Sequence, residues 1–155
     1  MEKATRYRLL NEPLQAESIC RDILAIDQDN SEAIEILLLA ITDQFDKGRA
    51  ITLNHAKSLL PAITSEYERA YYEGIIHERW GNAQLSQEGP TSIGWYRSAM
   101  RCYAKAEELS EPDNDDAILR WNTCVRIMER CNFAPEQMTR DIQSEYGDHI
   151  PPTSR

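Results

Sequence analysis

The feature that most constrains this chain is the spacing of its apolar residues, which recur at three- and four-residue steps along most of its length. From Arg6 to Ile26 the stripe runs through Leu9, Leu10, Leu14, Ala16, Ile19, Cys20, Ile23, Leu24 and Ile26, with a break at Asn11-Glu12-Pro13. A period near 3.6 keeps one face of a helix apolar. The segment therefore predicts a short helix, a tight turn, and a second helix that Pro13 opens and that ends near Asp27. Ala33, Ile34, Leu37, Leu38, Ala40 and Ile41 continue the pattern to about Phe45; Gly48 interrupts it, and Ile51, Leu53, Ala56, Leu59 and Leu60 resume it before Pro61. Val, Ile and Thr form no alternating runs bounded by turn residues, so no strand is expected.

The remaining punctuation agrees. Ser65-Glu66-Tyr67-Glu68 has the Ser-x-x-Glu form of a capping box and predicts a helix start, with the helix running to about Trp80. The polar stretch Gly81 to Gly94, with its Gly89-Pro90 pair, reads as partly irregular. Trp95 to Leu109 is helical, Glu111 to Asp116 is a turn rich in capping residues, Ala117 to Met128 is helical, and Ala134-Pro135-Glu136 opens a last helix ending before Gly147. The expectation is an all-α chain of about seven or eight helices in antiparallel pairs with short connections.

Charge and composition narrow the function. The 155-residue chain has a net charge of −9 and a pI near 4.8, the wrong sign for a surface that must neutralise nucleic-acid phosphates or settle on anionic lipid. From Asp22 to Asp46 there are seven acids and no base, the usual signature of a solvated face. No apolar run approaches the roughly 18 residues of a membrane helix, and the start, Met1 to Arg8, lacks the apolar region of a secretion signal. A cytoplasmic location is expected. Cys20, Cys102, Cys124 and Cys131 lie inside helical patterns and are expected to be reduced core residues rather than a disulfide framework.

Two turns echo each other. In "ILAIDQDNSEAIEIL" and "EELSEPDNDDAILRW" an Asp-Asn pair occupies the turn and the next helix opens acid-Ala-Ile, at Glu32-Ala33-Ile34 and Asp116-Ala117-Ile118. Asp27-Gln28-Asp29-Asn30-Ser31 resembles a calcium loop only superficially: such a loop needs glycine at its sixth position and glutamate at its twelfth, where Glu32 and Leu38 stand. The carboxylates and Asn30 are better used on the free N–H groups of a helix start.

With these landmarks the residues resemble the tetratricopeptide repeat family, whose unit of about 34 residues is a helix pair with small residues where the helices cross. Ala16, Ile23 and Gln28 fall on its template in a first unit, and Ile34, Leu37, Leu38 and Ile41 in a second. Ala70, Gly74, His77, Ala99, Tyr103, Ala106 and Pro112 fit a third, and Ile118, Trp121, Asn122 and Val125 begin a fourth. Gln28 stands where the family has proline, and the third unit carries an insertion around Gly81 to Trp95. The resemblance implies a right-handed solenoid forming a single domain over residues 1–146, with units near 1–30, 31–66, 67–114 and 115–146, the last including a capping helix, and a flexible tail over 147–155.

A stack of this kind implies a protein-interaction scaffold with no cofactor, no metal and no enzymatic role, whose concave groove is lined by the first helix of each pair and holds a peptide or protein partner. In that frame the groove residues are Glu35 and Asp43, then Tyr71, Tyr72, Glu78 and Arg79, then Arg120, Thr123 and Arg126. The tyrosines offer rigid contact area, and Arg120 with Arg126 offers a fork for a carboxylate. Trp95 and Tyr96 make a secondary surface, or else anchor the neighbouring segment against the helices. The alternative to groove binding is a homo-oligomeric assembly subunit using exposed helix faces, with a small-molecule-binding or enzymatic role as the minor alternative. No phosphate-binding glycine loop, metal-ligand spacing or nucleophile motif is present in the sequence.

Overall fold

The computed structural model describes residues 1–47, 53–88 and 92–131, which form seven α-helices and no strand. They are α1 (Glu2–Leu9), α2 (Pro13–Ile26), α3 (Ser31–Thr42), α4 (Leu53–Lys57), α5 (Glu66–Glu88), α6 (Ile93–Glu108) and α7 (Asp116–Arg130), with a single 3-10 turn at Leu60–Ala62.

The turns form where their residues permit. Asn11 takes a left-handed φ of 58° between α1 and α2, a conformation asparagine tolerates better than most side chains, and Pro13 follows at the start of α2. Asn30 caps α3: its Oδ1 accepts from the Ala33 N–H at 3.0 Å, while its amide donates to Asp27 at 3.0 Å. The acidic turn is thus used up locally. Ser65 plays the same part for α5, accepting from the Glu68 N–H at 3.2 Å.

Chain neighbours are neighbours in space: α1 packs on α2, α2 on α3, α5 on α6 and α6 on α7, while α3 and α4 rest on α5. The pairing of α5 with α6 is antiparallel. Ala70 meets Ala106, Gly74 lies against Tyr103, and Gly81 lies against Trp95 and Tyr96.

Two apolar cores share one helix. The first joins α3, through Ile34, Leu37, Leu38 and Ile41, to Ala4, Cys20, Ala56, Leu60, Ile63 and Ile76. The second joins Ile75 to Tyr96, Ala99, Met100, Tyr103, Cys124 and Met128. Ile75 and Ile76 are consecutive, so α5 presents one side chain to each core. Gln44, fully buried just after α3, donates to Ala40 O at 2.9 Å and to Glu17 on α2 at 2.8 Å. Burial alone would raise the Glu17 carboxyl; hydrogen bonds from Gln44 and Arg21 outweigh it and hold the group below its usual range.

Helix lengths depart from the sequence expectation in two places. The helix expected to end at Trp80 continues to Glu88, through a stretch read as irregular. Tertiary packing explains it: Ala83 is buried, and the Tyr96 hydroxyl donates to Asn82 at 2.8 Å, so α6 stabilises turns whose own composition is polar. Conversely, the helix expected up to Leu60 ends at Lys57, and the Leu60–Ala62 turn around Pro61 follows; a residue preceding proline is pushed away from helical geometry. The expected break at Gly48, the expected last helix from Ala134 and the expected tail lie outside the described residues.

Candidate functional site

Helices α3, α5 and α7 bring most of the expected groove residues together, but joined to one another. On α3, Glu35 accepts a hydrogen bond of 2.9 Å from the Tyr72 hydroxyl on α5. Burial, then the carboxylate beside it, pushes that hydroxyl well above the ordinary tyrosine range. Tyr71 heads an aromatic cluster: it stacks on Tyr67 at 5.9 Å, meets Tyr72 edge-on at 5.6 Å, and lies 6.0 Å from Tyr103.

The centre of the face is a buried carboxylate. Glu78 is 5% exposed, accepts from the Tyr103 hydroxyl at 2.5 Å, and pairs with Arg120 of α7 at 3.1 Å. A buried charge is tolerated only when paired and hydrogen-bonded, and here both conditions are met. Burial alone would lower the Arg120 guanidinium; the Glu78 charge overcomes it and drives the group upward. Tyr103 is raised, first by burial and then by the same carboxylate.

A second polar set closes the end of α3. Asp43 is bracketed by Arg8 at 2.6 Å and Arg79 at 2.7 Å. Arg79 also donates to Thr42 Oγ1 at 2.6 Å and to Leu39 O at 3.1 Å. Its burial presses the guanidinium down, and Asp43 opposes that. Beside it a hollow of about 260 Å³ is lined by Thr42, Asp43, Phe45, Asp46, Arg79, Asn82 and Ala83.

Of the nine groove residues read from the sequence, Glu35, Tyr71, Tyr72, Glu78 and Arg120 thus lie in one linked set and Asp43 with Arg79 in another. Thr123 and Arg126 are exposed on α7 outside both sets, and the Thr123 hydroxyl is turned back on Leu119 O at 3.0 Å. Three expectations are corrected. Glu78 does not face outward; Tyr103 and Arg120 hold it inside. Arg120 does not form a fork with Arg126, because Glu78 engages it. Tyr96 is no surface residue: it is wholly buried across Gly81, with its hydroxyl on Asn82. Burial pushes that hydroxyl up to about 12. Trp95 is half-buried, stacked on His77 at 5.8 Å and edge-on to Trp80 at 6.4 Å, so both aromatics act as anchors.

The sequence reading missed Arg8 and Tyr103 as members of these networks. Tyr103 was legible as a core position of its helix; that its hydroxyl ends on a buried carboxylate has no one-dimensional signal.

No protein-family model, curated protein or solved structure matches the chain. Among the described residues, no helix is long and apolar enough to cross a membrane.

Proposed function

We propose that this chain is a protein-interaction scaffold, a right-handed stack of tetratricopeptide-like helix pairs without enzymatic activity, that holds a peptide or partner segment against the face made by α3, α5 and α7. The observation that carries the reading is that the aromatic and charged side chains of this face are already fixed by one another, from Glu35–Tyr72 through Tyr71 and Tyr103 to Glu78–Arg120. A face ordered in advance loses little side-chain entropy when a partner arrives. Tyr71 and Arg120 keep part of their surface exposed, and tyrosine and arginine are the residue types that anchor interfaces most often.

Two further points support the repeat reading. Gly74 and Ala70 stand where the family has small residues, and α5 and α6 cross closely there, against Tyr103 and Ala106. The paired charges also suit the holding of a fixed shape better than proton transfer, since each is tied to an opposite partner.

The test is selection from a displayed peptide library, followed by affinity measurement on the wild type and Tyr71→Ala, with far-UV circular dichroism confirming the fold. Selected peptides should bind Tyr71→Ala at least about tenfold more weakly, the cost of one interface anchor. Enrichment of no peptide, or equal binding by the variant, rejects the assignment.

One observation favours homodimerisation as a second reading: Leu9, Leu10 and Leu14 are 77%, 57% and 41% exposed around the α1–α2 turn. Light scattering distinguishes it, because a molar mass that stays monomeric across concentration removes the dimer.

A further inference from the structure

The close crossing of α5 and α6 has a second product, independent of peptide binding. Gly74 and Tyr103 touch where the two helices are nearest, and their chain neighbours Glu73 and Cys102 are drawn together beside them. His77, one turn on from Glu73, completes the group. A carboxylate oxygen of Glu73, a ring nitrogen of His77 and the Cys102 sulfur all lie within 4.8 Å of one another.

We infer that Glu73, His77 and Cys102 form a binding site for a zinc-like divalent transition metal, with one coordination position left for water or an exogenous ligand. Oxygen, imidazole and thiolate together are a donor set for a borderline-soft ion such as Zn²⁺ and a poor one for Mg²⁺ or Ca²⁺. Tetrahedral coordination at ordinary bond lengths sets donors about 3.5 Å apart. The group has therefore to contract by only about 1 Å, within reach of the Glu73 side chain, which is 40% exposed.

His77 supplies an independent observation. It is 7% exposed, yet its Nδ1 is buried with no hydrogen-bond partner among the described residues, and its Nε2 lies 3.8 Å from Glu73 Oε1, longer than a hydrogen bond. The ring nitrogen turned toward Glu73 is Nε2, so a metal held between the two would bind there. Trp95 stacked on the ring holds its orientation. Three cations face the site: Lys57 from α4, whose Nζ is 4.0 Å from Glu73, and Arg101 and Lys105 on α6. The metal displaces Lys57 from Glu73. Binding exchanges the Cys102 sulfur–hydrogen bond for a sulfur–metal bond and releases that proton to solvent.

The experiment titrates the reduced full-length chain with Co²⁺, then displaces it with Zn²⁺. The expected result is one equivalent bound, with a thiolate-to-cobalt charge-transfer band and tetrahedral visible absorption, both lost on adding Zn²⁺. Cys102→Ser should abolish the charge-transfer band. Glu73→Gln, at a partly exposed position that leaves the fold intact by circular dichroism, should weaken Co²⁺ by more than about tenfold, at least the effect of losing an outer-shell partner. Cys131→Ser should leave the spectrum unchanged. Absence of the charge-transfer band in folded wild type overturns the site, as does its persistence in Cys102→Ser or unaltered affinity in Glu73→Gln.

Discussion

At the residue scale, packing space rather than helix propensity decides what a glycine is for. Gly74 lies inside α5, where glycine costs about 1 kcal/mol relative to alanine, but a Cβ there would run into the Tyr103 ring, which is buried and held by Glu78. Overpacking costs about 1–3 kcal/mol. Gly74→Ala should therefore lower stability, by up to about 2 kcal/mol in urea denaturation, despite its better propensity. Gly94 has nothing within 4 Å of such a Cβ, and Gly94→Ala should raise stability by up to about 1 kcal/mol. The buried pair makes an opposite case. Arg120→Ala strands the Glu78 carboxylate on the Tyr103 hydroxyl alone, and removing one partner of a buried pair costs about 3–5 kcal/mol. Because the Arg120 side chain is 32% exposed, water screens part of that; the expected loss is about 2–3 kcal/mol, recovered in part by the neutral Glu78→Gln in the double variant. Glu17 sets an acid dependence. Its folded carboxyl lies below the ordinary 4.5, so its contribution is complete above that value and is lost as pH falls through the folded one. Stability measured against pH should fall more steeply for the wild type than for Glu17→Gln in that acid window, and parallel curves would contradict the assignment.

At the element scale, α5 shows where local preference yields to neighbours. Its last turns are polar in composition, yet Asn82 accepts from the Tyr96 hydroxyl of α6, Ala83 is buried, and the segment is helical as far as Glu88. Proline at an interior helical position removes a backbone hydrogen bond and clashes with the preceding turn, costing about 3 kcal/mol or more. Ala83→Pro should lose at least that much in thermal or urea unfolding; a change under about 1 kcal/mol would mean that these residues are not helical.

At the scale of the whole molecule, α5 ties the two cores together through consecutive side chains, Ile76 in one and Ile75 in the other. Neither core can be exposed without losing contacts along the same helix, so unfolding should be one cooperative transition. Tryptophan fluorescence, with Trp121 packed against the second core and Trp80 on Phe45 at the first, should share its midpoint with far-UV circular dichroism, which reports on all the helices. Separate midpoints would mean that the cores unfold independently. The proposed partner face spans both cores through α3 and α7, which is why its geometry depends on that shared helix.

The all-α class and most element boundaries were legible in the sequence, because a 3.6-residue period and the capping side chains at Asn30 and Ser65 express rules internal to each helix. The frame that the family resemblance implied named Glu35, Asp43, Tyr71, Tyr72, Arg79 and Arg120 together, and the structure joins them in two separate sets. That frame had no means of saying that Glu78 would be buried, that Tyr96 would be an anchor, or that Cys102 would lie beside Glu73 and His77. Those outcomes depend on how closely two helices approach, and at α5 and α6 that distance is decided by small residues against large rings, Gly74 on Tyr103 and Gly81 on Tyr96. Periodicity comes from hydrogen bonds within one helix and is written along the chain; which side chains meet between helices comes from the packing of one surface into another, and only the folded chain has those surfaces.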